Sequence, residues 1–263
     1  MHPFDRDIVV ARQSPNQFKG HVSPDWSLSG NPNGGYLMAM LVHAMLQQSE
    51  KKTLILATAS YLARCVPGAA DMTIEPLASS KQFDRWEARL IQDGKEKVRA
   101  TGTFTGDHND AAEKHYEAQA PDVSPLEQCV KVPQIPYYTF FDRMDIRLDP
   151  ACAGWMKGQL IDRSEHRGWV KFDADRPHDA ISTVLMADSL PPPVLVSHGP
   201  VAWVPTLEMS VNIRSLPHSR WLRCKLRTRF ITDGILEEDG EVWDENGELI
   251  AISRQIAQFR KGK

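Results

Sequence analysis

One segment constrains the fold more than any other. Asn33-Gly34-Gly35 leads into Tyr36-Leu37-Met38-Ala39-Met40-Leu41-Val42-His43-Ala44-Met45-Leu46, a run with no polar face before Gln47 and Gln48. A surface helix carries an apolar stripe; a helix that is apolar nearly all round must be enclosed by other structure. Pro32 and Asn33 supply its start signal. The segments after this helix are strand-like: Leu54 to Leu62, ending before Pro67-Gly68, then Met72 to Ser79, Arg85 to Ile91 and Glu96 to Phe104, with Asp93-Gly94 as a hairpin signal. The first hundred or so residues therefore read as one buried helix and then an antiparallel meander.

Residues 106 to 136 change character, with a polar start and prolines at 121, 125, 133 and 136 that break any regular element. Asp107, His108 and Asp110 within it read either as metal ligands or as a solvated loop, and no further ligand nearby supports a metal. The second half then repeats the grammar of the first. Phe140 to Leu148, Trp155 to Leu160 and Trp169 to Phe172 are strand-like, and Pro177 opens a predicted helix from Asp179 to Leu190, ended by Pro191-Pro192-Pro193. Four predicted strands come after it: Leu207 to Arg214, Trp221 to Thr232, Leu236 to Asp244 and Leu249 to Phe259. Pro67 matches Pro217, Asp93-Gly94 matches Asn246-Gly247, and Phe104 matches Phe259. A tandem repeat results, with units at 1–110 and 138–263 joined by 111–137.

Charge removes other classes. In 263 residues, 31 Lys plus Arg stand against 34 Asp plus Glu, a net charge of −3, which gives no electrostatic case for nucleic-acid binding. Cys65, Cys129, Cys152 and Cys224 form neither a CxxC motif nor a disulfide scaffold. The N-terminal residues are charged where a signal peptide needs an apolar run. The charge-free segments Trp26 to Ser49 and Ser189 to Leu207 are too short in apolar core, or too broken by proline, to span a bilayer. The expected compartment is the cytosol, without a membrane partner.

Candidate chemistry gathers in the second half. Asp188 falls in the last predicted turn of an apolar helix, where both the macrodipole and burial raise a carboxylate pKa towards that of a general base; the alternative is a helix-end Asp that reaches solvent. Gln255 alternates with Leu249, Ala251, Ser253, Ala257 and Phe259, so its amide points with small and apolar neighbours; a backbone-bonded structural Gln is the alternative. Strict alternation places Thr206 with Glu208, Ser210 and Asn212 on a polar face, unless it precedes the strand proper after Pro205. The amides of Gly34 and Gly35 at a helix start can receive an oxyanion, and glycine there can equally serve tight packing. Arg223, Lys225, Arg227 and Arg229 share one strand face, either to meet phosphates or as a solvated surface. Ser197-His198 offers no convincing nucleophile, because sequence neighbours in a loop rarely face each other, and there is no GxSxG elbow.

A helix wrapped by an antiparallel sheet is the hotdog arrangement, and two in one chain make an α+β double hotdog. The chain resembles the acyl-CoA thioesterase II (TesB-like) family in Asn33-Gly34-Gly35-Tyr36-Leu37, Glu87 to Gly94, Ala187-Asp188-Ser189-Leu190-Pro191, Pro205 to Met209, Trp243 to Gly247 and Ala251 to Gln255. The resemblance covers nearly the whole chain outside the linker. It implies an acyl-CoA substrate, no metal and no cofactor, and a water held by Asp188, Thr206 and Gln255 that attacks the thioester carbonyl. Gly34, Gly35, Tyr36 and His198 are the expected substrate-binding residues. The rival readings are an acyl-CoA-binding module without turnover and a hotdog hydratase, which would need an Asp–His pair. Association of two double hotdogs into a homo-oligomer is expected, because a sheet face not used against a helix has to be covered or kept polar.

Overall fold

The computed structural model describes residues 1–106, 113–200 and 202–261. Strands β1 (Val10–Ser14) and β2 (Gln17–Val22) form an N-terminal hairpin that the sequence pattern does not predict. β1 buries only its first residue fully, so no apolar alternation announces it. Asn33 caps helix α1 (Gly34–Gln48) by accepting the Tyr36 amide at 2.9 Å. Every residue of α1 from Gly35 to Val42 is buried, as are Ala44 and Met45, in agreement with the absence of a polar face. The meander continues as β3 (Thr53–Tyr61), β4 (Gly68–Ser79), β5 (Phe83–Gln92) and β6 (Lys95–Thr105). Asp93 and Gly94 both take positive φ, 51° and 68°, the geometry of a type I′ hairpin turn.

In the second half come β7 (Met144–Leu148), β8 (Glu165–Phe172), helix α2 (Ala180–Met186), β9 (Thr206–Ile213), β10 (Leu222–Arg227), β11 (Ile235–Asp244) and β12 (Leu249–Gln258). Four expectations need correction. Residues 140–143 are a short helix rather than the start of a strand: Phe140 is buried while Phe141 stacks on Tyr138, so local aromatic packing overrides alternation. Residues 154–157 form a 3₁₀ turn closed by left-handed Gly158, not a strand. The strand expected over 221–232 stops at Arg227, and Ile231–Thr232 turns back onto β11 through Asp233-Gly234, at φ of 51° and 73°. Helix α2 ends at Met186 rather than Leu190, because the Ser189 hydroxyl takes the Met186 carbonyl at 2.6 Å and three prolines come next.

All twelve strands join one antiparallel sheet in the order β1-β2-β4-β5-β6-β3-β9-β12-β11-β10-β8-β7, and Val130–Lys131 extends it beyond β7. Read outwards from the β3–β9 seam, the two halves have matching sequence order, which is the tandem repeat in spatial form. The seam runs from Ser60 opposite Glu208 to Leu56 opposite Asn212. One continuous apolar core spans both halves, with α1 and α2 side by side inside the curved sheet, as a double hotdog requires.

The candidate metal ligands Asp107, His108 and Asp110 lie outside the described residues. The rest of the proline-rich connection runs along the second half. Lys114 and Tyr116 reach Glu248 at 2.9 and 3.2 Å, and Asp149 accepts the Ser124 amide at 2.8 Å. No helix among the described residues is long and apolar enough to cross a membrane.

Candidate active site

Asp188 stands two residues beyond the end of α2, its amide bonded to the Leu185 carbonyl at 3.0 Å. Its carboxylate turns away from that helix and meets the N-terminus of α1. Oδ2 accepts the Gly35 amide at 2.7 Å and the Asn33 Nδ2 at 3.0 Å, and the same Nδ2 donates to the Asp188 carbonyl at 3.1 Å. The dipole argument from sequence is therefore reversed. The helix end that Asp188 faces is positive and favours its charged form. Burial outweighs this: desolvation pushes its pKa up to about 6, against the lowering effects of Gly35, Asn33 and Gln255.

The paired glycines explain how two helices come this close. A Cβ on Gly35 would lie 2.7 Å from Asp188 Cβ and 3.1 Å from the Val184 carbonyl oxygen. On Gly34 it would lie 3.0 Å from the Tyr61 hydroxyl and 3.2 Å from Asp188 Oδ2. Tyr61, from β3, donates its hydroxyl to the Gly34 carbonyl at 2.8 Å. Burial and then the Asp188 charge raise its pKa, so it stays a donor. The Gly35 amide, an expected oxyanion donor, is instead engaged by Asp188.

Thr206 reaches the site through an irregularity that alternation could not show. Thr206 pairs with Ala257 and Glu208 with Ile256, so Leu207 is an extra residue that bulges outwards, 42% exposed. The bulge moves Thr206 off the polar face of Glu208, Ser210 and Asn212. Its hydroxyl then donates to Gln255 Oε1 at 2.8 Å. Gln255, opposite Met209 on one side and Glu238 on the other, is buried as its alternation predicts. Its Nε2 donates to Glu238 Oε2. Glu238 is only 2% exposed, and burial, reinforced by the charge of Asp188, pushes its pKa up to about 8. Sequence reasoning missed it, although a signal was present: Leu236, Glu238, Gly240 and Val242 alternate on the inner face of β11. Tyr61 and the carboxylate-binding role of Asn33 were likewise not singled out.

The remaining expected residues lie elsewhere. Tyr36 is fully buried, stacked on Trp26, with its hydroxyl donating to the Asp7 carbonyl at 2.8 Å and accepting the Ser23 amide at 3.0 Å; it is a core residue with no surface open to a substrate. His198 packs on Phe259 and lies 2.8 Å from Ser197 Oγ through Nδ1. These neighbours do meet, contrary to expectation, although they are consecutive residues of a short helix, Val194–His198. Ser197 Oγ also contacts Ser164 Oγ at 2.6 Å and the Val194 carbonyl, and no carboxylate among the described residues bonds to His198. The basic stripe is an outward sheet face with acidic neighbours: Lys225 pairs with Glu241 and Arg229 with Asp239, each at 2.6 Å.

Comparisons with known proteins agree with this architecture. The profile of the acyl-CoA thioesterase N-terminal domain matches residues 22–105, and that of the acyl-CoA thioesterase C-terminal domain matches residues 117–259. No curated protein matches the sequence. Among solved structures, a candidate thioesterase II of Thermobifida fusca YX is 25% identical with a TM-score of 0.90, over 98% of this chain and 99% of its own. A hot dog fold protein of Alicyclobacillus acidocaldarius is 21% identical with a TM-score of 0.90, covering 100% of both chains. The acyl-CoA thioesterase II TesB2 of Mycobacterium marinum is 15% identical with a TM-score of 0.78, over 99% of each chain. With both halves matched in order and the double hotdog in place, this chain belongs to the acyl-CoA thioesterase family and is a thioester hydrolase.

Proposed function

We propose that the protein hydrolyses an acyl-CoA thioester to a carboxylic acid and free CoA through a water held by Asp188, Gln255 and Thr206. The observation that carries this reading is the Asp188 carboxylate: desolvated, fixed by Gly35 and Asn33, and poised at about 6, it is ionised and still basic at neutral pH. Gln255 stands beside it with its carbonyl accepting from Thr206 and one amide hydrogen given to Glu238, leaving the other amide hydrogen to orient the water. Asp188 takes a proton as the water oxygen attacks the thioester carbon. The tetrahedral intermediate then collapses, the C–S bond breaks, and the CoA thiolate regains the proton. Gly34 N–H, a first-turn amide without a partner in its own helix, is the candidate donor for the oxyanion. The working units in this reading remain 1–110 and 138–263, with 111–137 between them.

The test is thiol release from short, medium, long and aromatic acyl-CoAs. Asp188→Asn and Gln255→Ala should each lower kcat by about 10²–10⁴, and the double variant by little more than the worse single one. Full activity in a folded Asp188→Asn overturns the reading, and binding of acyl-CoA without thiol release favours the binding module.

A further inference from the structure

We propose that Glu238 is a positioning residue for the hydrolysis, holding the Gln255 amide in the orientation that turns its carbonyl to Thr206 and its NH₂ to the Asp188 side of the site. This inference rests on the reading of Asp188, Thr206 and Gln255 as the water-holding set.

Glu238 lies directly across the β11–β12 ladder from Gln255, and its Oε2 accepts from Gln255 Nε2. No cation among the described residues pairs with it. The ion pairs of β11 belong to its outward residues: Glu237 and Asp239 pair with Arg229, Asp239 also with Arg254, and Glu241 with Lys225. Glu238 Oε1 is buried with no hydrogen-bond partner among the described residues. A carboxyl with so little compensation is costly in a core, and an apolar side chain there would be more stable. Its retention is explained by what it does to Gln255. A primary amide can turn over, exchanging O and N. In the turned orientation the Gln255 carbonyl would face Glu238 and the Asp188 side, and its NH₂ would face Thr206. The Oε2 acceptor of Glu238 and the Asp188 carboxylate on the same side together oppose that flip.

The charges that bear on Glu238 are those of Asp188, just past the end of α2, and Glu237, on its own strand. Two neighbouring desolvated carboxyls do not both ionise readily, so the second proton is held more tightly than the first. Asp188 Oδ2 accepts two N–H donors whereas Glu238 Oε1 has no partner among the described residues, so the one charge that the pair carries at neutral pH sits on the proposed base. The proton resides on Glu238, and Oε1 is the oxygen free to bear it while Oε2 accepts from Gln255. Ionisation of Glu238 places a second negative charge in the site, pulls the amide more strongly, and disfavours the anionic intermediate.

The experiment compares Glu238→Gln, Glu238→Leu and Asp188→Asn with the unaltered protein, using whichever acyl-CoA in the panel is turned over best. Glu238→Leu should keep KM within about twofold and lose about 10–100-fold in kcat, with an unchanged or raised Tm. Glu238→Gln, whose side-chain oxygen accepts the same bond, should keep kcat within about threefold at pH 7. The unaltered enzyme should lose kcat/KM about tenfold per pH unit above roughly pH 8, a limb absent in Glu238→Gln, while both keep the acid limb near pH 6. Wild-type kcat in Glu238→Leu, a Glu238→Gln as impaired as Glu238→Leu, or an unchanged alkaline limb in Glu238→Gln would each overturn the proposal. If Glu238→Leu does not fold, the alkaline limb of Glu238→Gln decides alone. An inactive Asp188→Asn beside an unaffected Glu238→Leu defeats this inference only, whereas an active Asp188→Asn defeats the reading beneath it.

Discussion

Adding one methyl group to Gly35 tests how rigidly the two helices hold the site. On helix propensity alone, Gly35→Ala should stabilise α1 by about 1 kcal/mol. Here the new carbon would stand 2.7 Å from Asp188 Cβ, with the Val184 carbonyl oxygen at 3.1 Å and Leu185 Cα at 3.2 Å. Ordinary contact begins near 3.4 Å, so α1 and the Asp188 turn must part by about 0.7 Å, and two of the three atoms in the way are backbone. Overpacking of this kind costs about 1–3 kcal/mol, for a net destabilisation of about 0–2 kcal/mol. The catalytic cost is larger in proportion, because the same displacement stretches the 2.7 Å Gly35–Asp188 hydrogen bond and moves the proposed base; a drop of about 10–100-fold in kcat is expected. Thermal unfolding and thiol-release kinetics on the same preparation measure both. Gly34→Ala is the internal comparison, since its nearest obstacles are side-chain rather than backbone atoms, the Tyr61 hydroxyl at 3.0 Å and Asp188 Oδ2 at 3.2 Å, and the stability cost should be smaller. A Gly35→Ala protein with raised Tm and unchanged kcat would refute the claim that this approach is tight and that Asp188 depends on it.

Asn33→Ala removes both the cap of α1 and a donor that lowers the Asp188 pKa; stability should fall by about 1 kcal/mol and the acid limb of kcat/KM should move above pH 6. Asp188→Asn should gain stability relative to the unaltered protein as pH rises from about 4 to 6. A pKa raised from 3.8 to about 6 on folding means that ionisation opposes the native state across that window, by up to about 3 kcal/mol; parallel Tm curves would contradict it. His166 is fully buried beside Trp155 with neither ring nitrogen bonded among the described residues, and burial lowers its pKa to about 3. Its neutral form is therefore compatible with the fold above pH 6.5, and stability should drain away as pH falls from there towards 3. His166→Phe should flatten that part of the urea-unfolding profile without changing kcat at pH 7.

Sequence by itself determined the repeat, the enclosed helix and the inward placement of Gln255. Each of these is local: an apolar run without a polar face, a period of two along a strand, or a turn dipeptide such as Asp93-Gly94, whose positive φ values Asp and Gly tolerate. Asp188 was legible as a carboxylate among apolar neighbours, but the helix dipole assigned to it was the wrong one. Only the tertiary structure turned its carboxylate from the end of α2 to the start of α1, 153 residues away along the chain. The same holds for Thr206, which a bulge at Leu207 carries from the polar face to Gln255, and for Glu238, which matters because ladder register sets it opposite that amide. Periodicity says which face of an element is buried. Which groups meet across that face depends on register, bulges and the distance of closest approach, and these are settled when the whole core packs at once.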